Sequence, residues 1–240
     1  MARLYGRTWT RSELDEYVVS SQVCGSVRQV QYDDGRGRGV RIAEFDTGTG
    51  FRFEVLLDRA MDIGAASYQG IPLAFGSSTG IVHPSYYDKD GSEWLRGFMG
   101  GLMCTCGMTY VGGPTVEDGQ PLGLHGRVSN LPASNTWVDD GWRGDTRELW
   151  ARGKVRESAF HGENMLLTRR VSANVGENRL MIRDVVANEG NQRTPHMMLY
   201  HCNFGFPLLA EGTELVAPTI GITPRDAVAA PGLEQHACYE

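Results

Sequence analysis

The stretch Phe51-Arg52-Phe53-Glu54-Val55-Leu56-Leu57 decides the fold class. Side chains on an extended chain point alternately to opposite faces, so Phe51, Phe53, Val55 and Leu57 share one face. The same period recurs over 149–155, where Leu149, Ala151, Gly153 and Val155 oppose Trp150, Arg152 and Lys154. Further segments of this kind are 17–24, 39–46, 164–173, 179–188 and 197–204. Many short period-two segments joined by Gly- and Asn-rich turns predict an all-β fold, an antiparallel sandwich or barrel.

Helix signals are few. Thr10-Arg11-Ser12-Glu13 has the form of a capping box, and Ser92-Glu93-Trp94-Leu95-Arg96 can open one short helix. Strands do not alternate with long helices, which argues against a doubly wound sheet. Residues 76–114 are irregular and rich in Gly, Tyr and Trp, as functional loops are. No repeat or linker divides the 240 residues, so the expectation is one domain over 1–240.

Composition narrows the function. With 41% hydrophobic and 22% charged residues the chain can build a packed core. The net charge is −6 and the cations are scattered, so no basic stripe exists for nucleic acid. No apolar run is long enough to cross a bilayer as a helix, and the first residues lack the apolar core of a signal peptide. Five irregularly spaced cysteines read as reduced thiols, which places the protein in the cytoplasm as an expectation. Oligomeric state is not legible.

Several motifs carry polar chemistry. Gly35-Arg36-Gly37-Arg38-Gly39 is followed by a strand-like segment, so a hairpin turn is favoured over a phosphate loop, which needs a helix there. Cys104-Thr105-Cys106 puts two thiols on one face, but no further ligands stand at zinc spacing, and no metal is expected. The charges of Asp58-Arg59-Ala60-Met61-Asp62 could form a solvated turn, an internal salt bridge, or a pocket into which Arg59 points. In Leu122-Gly123-Leu124-His125-Gly126-Arg127-Val128-Ser129-Asn130-Leu131-Pro132-Ala133 a titratable ring and a guanidinium sit in backbone too irregular for helix or strand. That is where binding groups tend to lie, although a histidine that merely supports a loop has the same look. In Leu199-Tyr200-His201-Cys202-Asn203-Phe204 the residues His201 and Asn203 share a strand face with Leu199. Buried, they need polar partners, from a pocket or from backbone.

These motifs together resemble the aldose 1-epimerase (galactose mutarotase-like) superfamily, in a poorly characterised epimerase-like branch. The resemblance covers most of the chain. It is carried by Leu57-Asp58-Arg59-Ala60-Met61-Asp62-Ile63-Gly64, Trp94-Leu95-Arg96 with Gly100-Gly101-Leu102, Leu124 to Pro132, and Tyr200-His201-Cys202-Asn203-Phe204-Gly205-Phe206-Pro207. It implies a large twisted antiparallel β-sandwich with few short helices and a carbohydrate cleft on a concave face. It implies an isomerase that exchanges sugar anomers by acid/base ring opening, without metal or organic cofactor, on a small-molecule sugar. By the same resemblance His201 is the general acid and His125 contacts the sugar. Arg59, Asp62, Arg127, Asn130 and Asn203 are then the residues expected to bind it. A non-catalytic sugar-binding protein, or another sugar isomerase or lyase on this fold, is the alternative.

The superfamily's base is a glutamate far downstream of the second histidine. Here Glu211, Glu214, Glu234 and Glu240 follow His201, and none stands in a matching context. The segment 223–239 reads as continuing chain, so the expectation is a domain whose last strands are missing from this sequence.

Overall fold

The computed structural model describes residues 1–234; Glu240, named above among the glutamates, lies outside them. Two antiparallel sheets make the body. The larger has seven strands, ordered Met197–Cys202, Met103–Met108, Asp62–Tyr68, Phe51–Leu56, Arg41–Asp46 and Ser26–Gln31, with Ile71–Pro72 pairing separately on Asp62–Tyr68. The smaller is a meander of Ser134–Arg143, Thr146–Ser158, Asn164–Asn174 and Met181–Asn188. The fold is the expected all-β sandwich.

The alternation explains the packing. Phe53 lies directly across from Phe45 on the neighbouring strand, and the rings stack with centroids 4.5 Å apart, a cross-strand aromatic pair. Phe51, Phe53, Val55 and Leu57 enter the core with Leu149, Ala151 and Val155 of the other sheet, as their phase predicts. Each such side chain contributes roughly 1.5–3 kcal/mol on burial, so the 13-residue Thr146–Ser158 strand, with every second residue buried, anchors the sandwich.

Three local differences from the sequence expectations have physical causes. Residues 17–24 are not a strand; they form a bend and a 3-10 turn over Ser21–Cys24. The strand lies just beyond, at Ser26–Gln31, after Gly25 at φ 155°, whose added Cβ would press on Val175 and the Asp46 carbonyl. Within the irregular 76–114 region, Met103-Cys104-Thr105-Cys106-Gly107-Met108 is a strand buried on both faces, so it shows no alternation of apolar and polar residues. Ser134–Arg143, whose pattern is blurred by Asp139, Asp140 and Gly141, is likewise a strand.

Helical expectations fare better. The short helix Arg11–Asp15 has its capping box, with Glu13 N–H donating to Thr10 Oγ1 and Thr10 N–H to Glu13 Oε2. Glu93–Gly97 is a 3-10 turn. The Gly-rich run at 35–39 is the connection between paired strands Ser26–Gln31 and Arg41–Asp46. Among the described residues no helix is long and apolar enough to cross a membrane.

Candidate active site

His201 is placed by sheet pairing. Its strand runs against Met103–Met108 with His201 opposite Cys104. Cys104 and Cys106 face an aromatic cluster of Trp94, Phe98, Tyr87 and Leu124. Thr105 faces the other way, into the core, where it donates its hydroxyl to Asp62. Asn203 pins the end of the His201 strand: its side-chain amide donates to the carbonyls of His201 and Gly100, at 3.0 and 3.3 Å.

His125 is placed by its loop. It has φ 58°, in the left-handed region that a non-glycine residue enters at a cost. Two backbone bonds hold it there: His125 N–H donates to Gly112 O and Gly107 N–H donates to His125 O. Gly126 follows at φ 71°, and a Cβ on it would lie 2.4 Å from the Tyr110 carbonyl oxygen, so only glycine permits this docking. The 3-10 turn Val128–Asn130 then carries the chain away.

These two placements bring the rings of His125 and His201 edge to face, with centroids 5.9 Å apart. Phe98 packs edge-on to His201 at 5.9 Å, and Trp94 edge-on to His125 at 5.1 Å, while Trp94 and Phe98 stack on each other. The Nδ1 atoms of both histidines are buried without a hydrogen-bond partner among the described residues. Burial and, after it, the neighbouring His201 push His125 below the ordinary histidine value. Two adjacent imidazoles against an aromatic wall can exchange protons with a bound hydroxylated ring and present a flat face for it to lie on.

The other candidates divide. Arg59 is almost fully buried, and its guanidinium donates to the carbonyls of Ser129, Val82 and Gly97 at 2.7, 2.8 and 3.0 Å. This is a buttressing position, because buried loop carbonyls demand donors. Asp62 is fully buried too. It is buried below the sheet, accepting from Thr105 and from Arg169 Nη1 at 3.2 Å. Burial pushes its pKa up to about 6, against the pull of Arg169 and Thr105. Arg169 reaches on to Asp184 at 2.7 Å, and Tyr200, the neighbour of His201, donates its hydroxyl to Asp184 at 2.7 Å. Asn130 is buried and donates to Ser129 Oγ, and Trp94 Nε1 donates to that same oxygen. Arg127 remains half-exposed on the loop next to Gly126, with Nε 4.0 Å from Glu157 Oε1. The four described cysteines are free thiols, and no cluster of His, Cys, Asp and Glu among the described residues could hold a metal.

The motif reading missed the aromatic wall's contact with the histidines, and it missed Glu157, Arg169 and Asp184. A signal for the three charged residues existed. Glu157 is in phase with Leu149 and Val155, Arg169 with Leu167 and Val171, and Asp184 with Ile182 and Val186. A charge at an in-phase apolar position is buried and must be matched.

A comparison with curated proteins found no match. The chain is similar to the crystal structure of a candidate aldose 1-epimerase from Klebsiella pneumoniae subsp. pneumoniae MGH 78578, with TM-score 0.84 and 26% identity over 98% of this chain and 65% of that one. It is similar in fold to the galactose 1-epimerase of Lactobacillus acidophilus NCFM, with TM-score 0.50 and 15% identity over 80% of this chain and 55% of that one. The chain thus spans less than two thirds of the length of either. Residues 37–240 match the family described as a domain of unknown function, DUF4432. The chain belongs to the DUF4432 family and carries the fold of the aldose 1-epimerases.

Proposed function

We propose that the chain is the sugar-binding and proton-transferring part of an aldose 1-epimerase-like isomerase. The contact of His125 with His201, each with a buried Nδ1 that no group among the described residues engages, carries this reading. Anomer exchange needs a proton removed from the C1 hydroxyl and one delivered to the ring oxygen. The ring opens, the carbonyl turns, and the ring closes on its other face. His201 serves as the acid that protonates the ring oxygen, a task for which histidine is the commonest side chain. His125, whose charged form burial and then its neighbour disfavour, accepts or donates a hydrogen bond to the sugar. Phe98, partly exposed and backed by the buried Trp94, offers an apolar wall to the sugar's C–H face, and Arg127, Asn130 and Asn203 are the nearby polar groups for hydroxyls.

A second reading, sugar binding without chemistry, is favoured by one observation. Among the described residues no carboxylate hydrogen-bonds either ring, and Glu211, Glu214 and Glu234 are exposed. Polarimetry on freshly dissolved α-anomers of several aldoses separates the two. The isomerase reading expects anomer exchange above the spontaneous rate. Saturable sugar binding with no acceleration leaves the binding protein.

A further inference from the structure

A charged group at the far end of the Thr146–Ser158 strand has no part in the proton transfers above. Glu157 is buried in phase with the core residues of its strand. Thr109 donates its hydroxyl to Oε1 at 2.5 Å, and Arg127 Nε lies 4.0 Å from the same oxygen. Oε2 is buried without a hydrogen-bond partner among the described residues. Tyr87, Lys89, Tyr110 and Arg127 line the small cavity beside the carboxyl, and Glu163, on the next strand's approach, adds a second negative charge. Burial pushes Glu157 up to about 7, with Thr109 and Arg127 pulling against it.

Arg127 has the opposite character. Its side chain is 45% exposed, and its guanidinium makes no hydrogen bond within the described residues. A guanidinium has five donors in a fixed fork; one charged on its buried side and open on the other is available to a ligand. It is also attached to the histidine cleft. Only Gly126 separates it from His125, the Gly126 carbonyl accepts from Tyr87 Oη, and Tyr87 packs in the cluster of Trp94 and Phe98. The cavity at Glu157 and the histidine pair therefore lean on one cluster, Tyr87 lining the first and Trp94 packing on His125.

We propose that Glu157 is a positioning residue for sugar binding: its carboxylate holds the Arg127 guanidinium at the edge of the histidine cleft, where Arg127 donates to a sugar hydroxyl. This rests on the reading of the cleft as a sugar site. When Glu157 takes up a proton the attraction to Arg127 is lost, so the hold weakens as pH falls. Glu157 does not touch the sugar itself.

The test compares the intact chain with Glu157→Gln, which keeps the shape of the carboxyl, and with both chains carrying Arg127→Met. Anomer exchange is followed from pH 5.5 to 8.5. At pH 8.5, Glu157→Gln raises KM about threefold, the scale of a half-exposed ion pair, with kcat little changed. At pH 5.5 the two chains converge, and in the Arg127→Met background Glu157→Gln changes nothing. An equal KM at pH 8.5, or a KM ratio constant with pH, overturns the proposal. If no aldose is turned over or bound, the cleft reading fails separately. The pairing is then judged by ¹³C titration of the Glu157 carboxyl: a midpoint that rises in Arg127→Met supports the hold, and an unchanged midpoint overturns it.

Discussion

His125 and His201 meet at 63° between ring planes, close enough that two positive charges there repel. One comes from a loop in left-handed backbone and the other from a strand pinned by Asn203, so neither can swing away freely. The acid of the proposed reaction has to be a ring that can carry an extra proton. Burial already disfavours charge on His125, and for that reason the proposed reaction gives the acid's role to His201.

His201→Asn is accordingly expected to lower catalysed anomer exchange by about 10²–10⁴-fold, the usual loss with a general acid. Sugar affinity, measured by calorimetry, should stay within a few-fold, and thermal melting should be nearly unchanged because the His201 side chain makes no hydrogen bond among the described residues. A variant with wild-type turnover would assign the acid to another group.

The lowered His125 value gives a pH dependence with a definite sign. The folded ring binds a proton less readily than the unfolded one, so protons favour unfolding. The effect is absent well above the unfolded value near about 6.5 and grows as pH falls through and below it. His125→Asn keeps a residue that tolerates left-handed backbone and removes the titration. Urea melts at pH 7.5 and pH 5.0 should show the wild type losing more stability than the variant on acidification. The difference should be less than about 1 kcal/mol, because the ring is partly solvated. Parallel losses in the two proteins would show that His125 does not titrate differently on folding.

Legibility in the sequence followed the alternation. Leu149 to Val155 and Phe51 to Leu57 have one wet and one dry face, and their strands were readable. Met103 to Met108 has two dry faces, so the strand that pairs with His201 carried no period. The histidine motifs were readable as residue types, but their meeting depends on that unreadable strand and on Gly126 docking against Tyr110. Arg59 and Asp62 drew notice as charges. Burial depth is set by the loops packed over them, which no local pattern encodes, so a solvated turn, an internal salt bridge and a pocket all stay open on the sequence.

Arg169 joins Asp62 below the sheet to Asp184 and, through it, to Tyr200 beside His201. Removing the cation leaves two carboxylates near one another, one of them fully buried and left with only the weaker pull of Arg59. Arg169→Met is expected to destabilise by about 3–5 kcal/mol, as for a buried pair broken on one side. Asp62→Asn should cost less, since burial already raises that carboxyl toward its neutral form. Urea unfolding at pH 7.5 checks the order. Asp62→Asn as damaging as Arg169→Met would mean that the Asp62 charge itself is indispensable.

Arg59 ties three separate segments together through the carbonyls of Val82, Gly97 and Ser129, which places it behind both the aromatic wall and the His125 loop. A lysine can supply charge and donors from one atom, but not a fork that reaches three diverging oxygens. Each buried carbonyl left without a donor costs roughly 1–3 kcal/mol. Arg59→Lys should therefore destabilise the fold by about 2–4 kcal/mol and loosen the loops before the sheets. Amide exchange should rise first at residues 76–99 and 126–131, while the Thr146–Ser158 strand stays protected. Sugar affinity should fall with it, because Trp94 hangs on Ser129, whose carbonyl Arg59 holds. If Arg59→Lys instead abolished sugar binding with stability and loop exchange unchanged, Arg59 would be a direct ligand of the sugar and not a buttress.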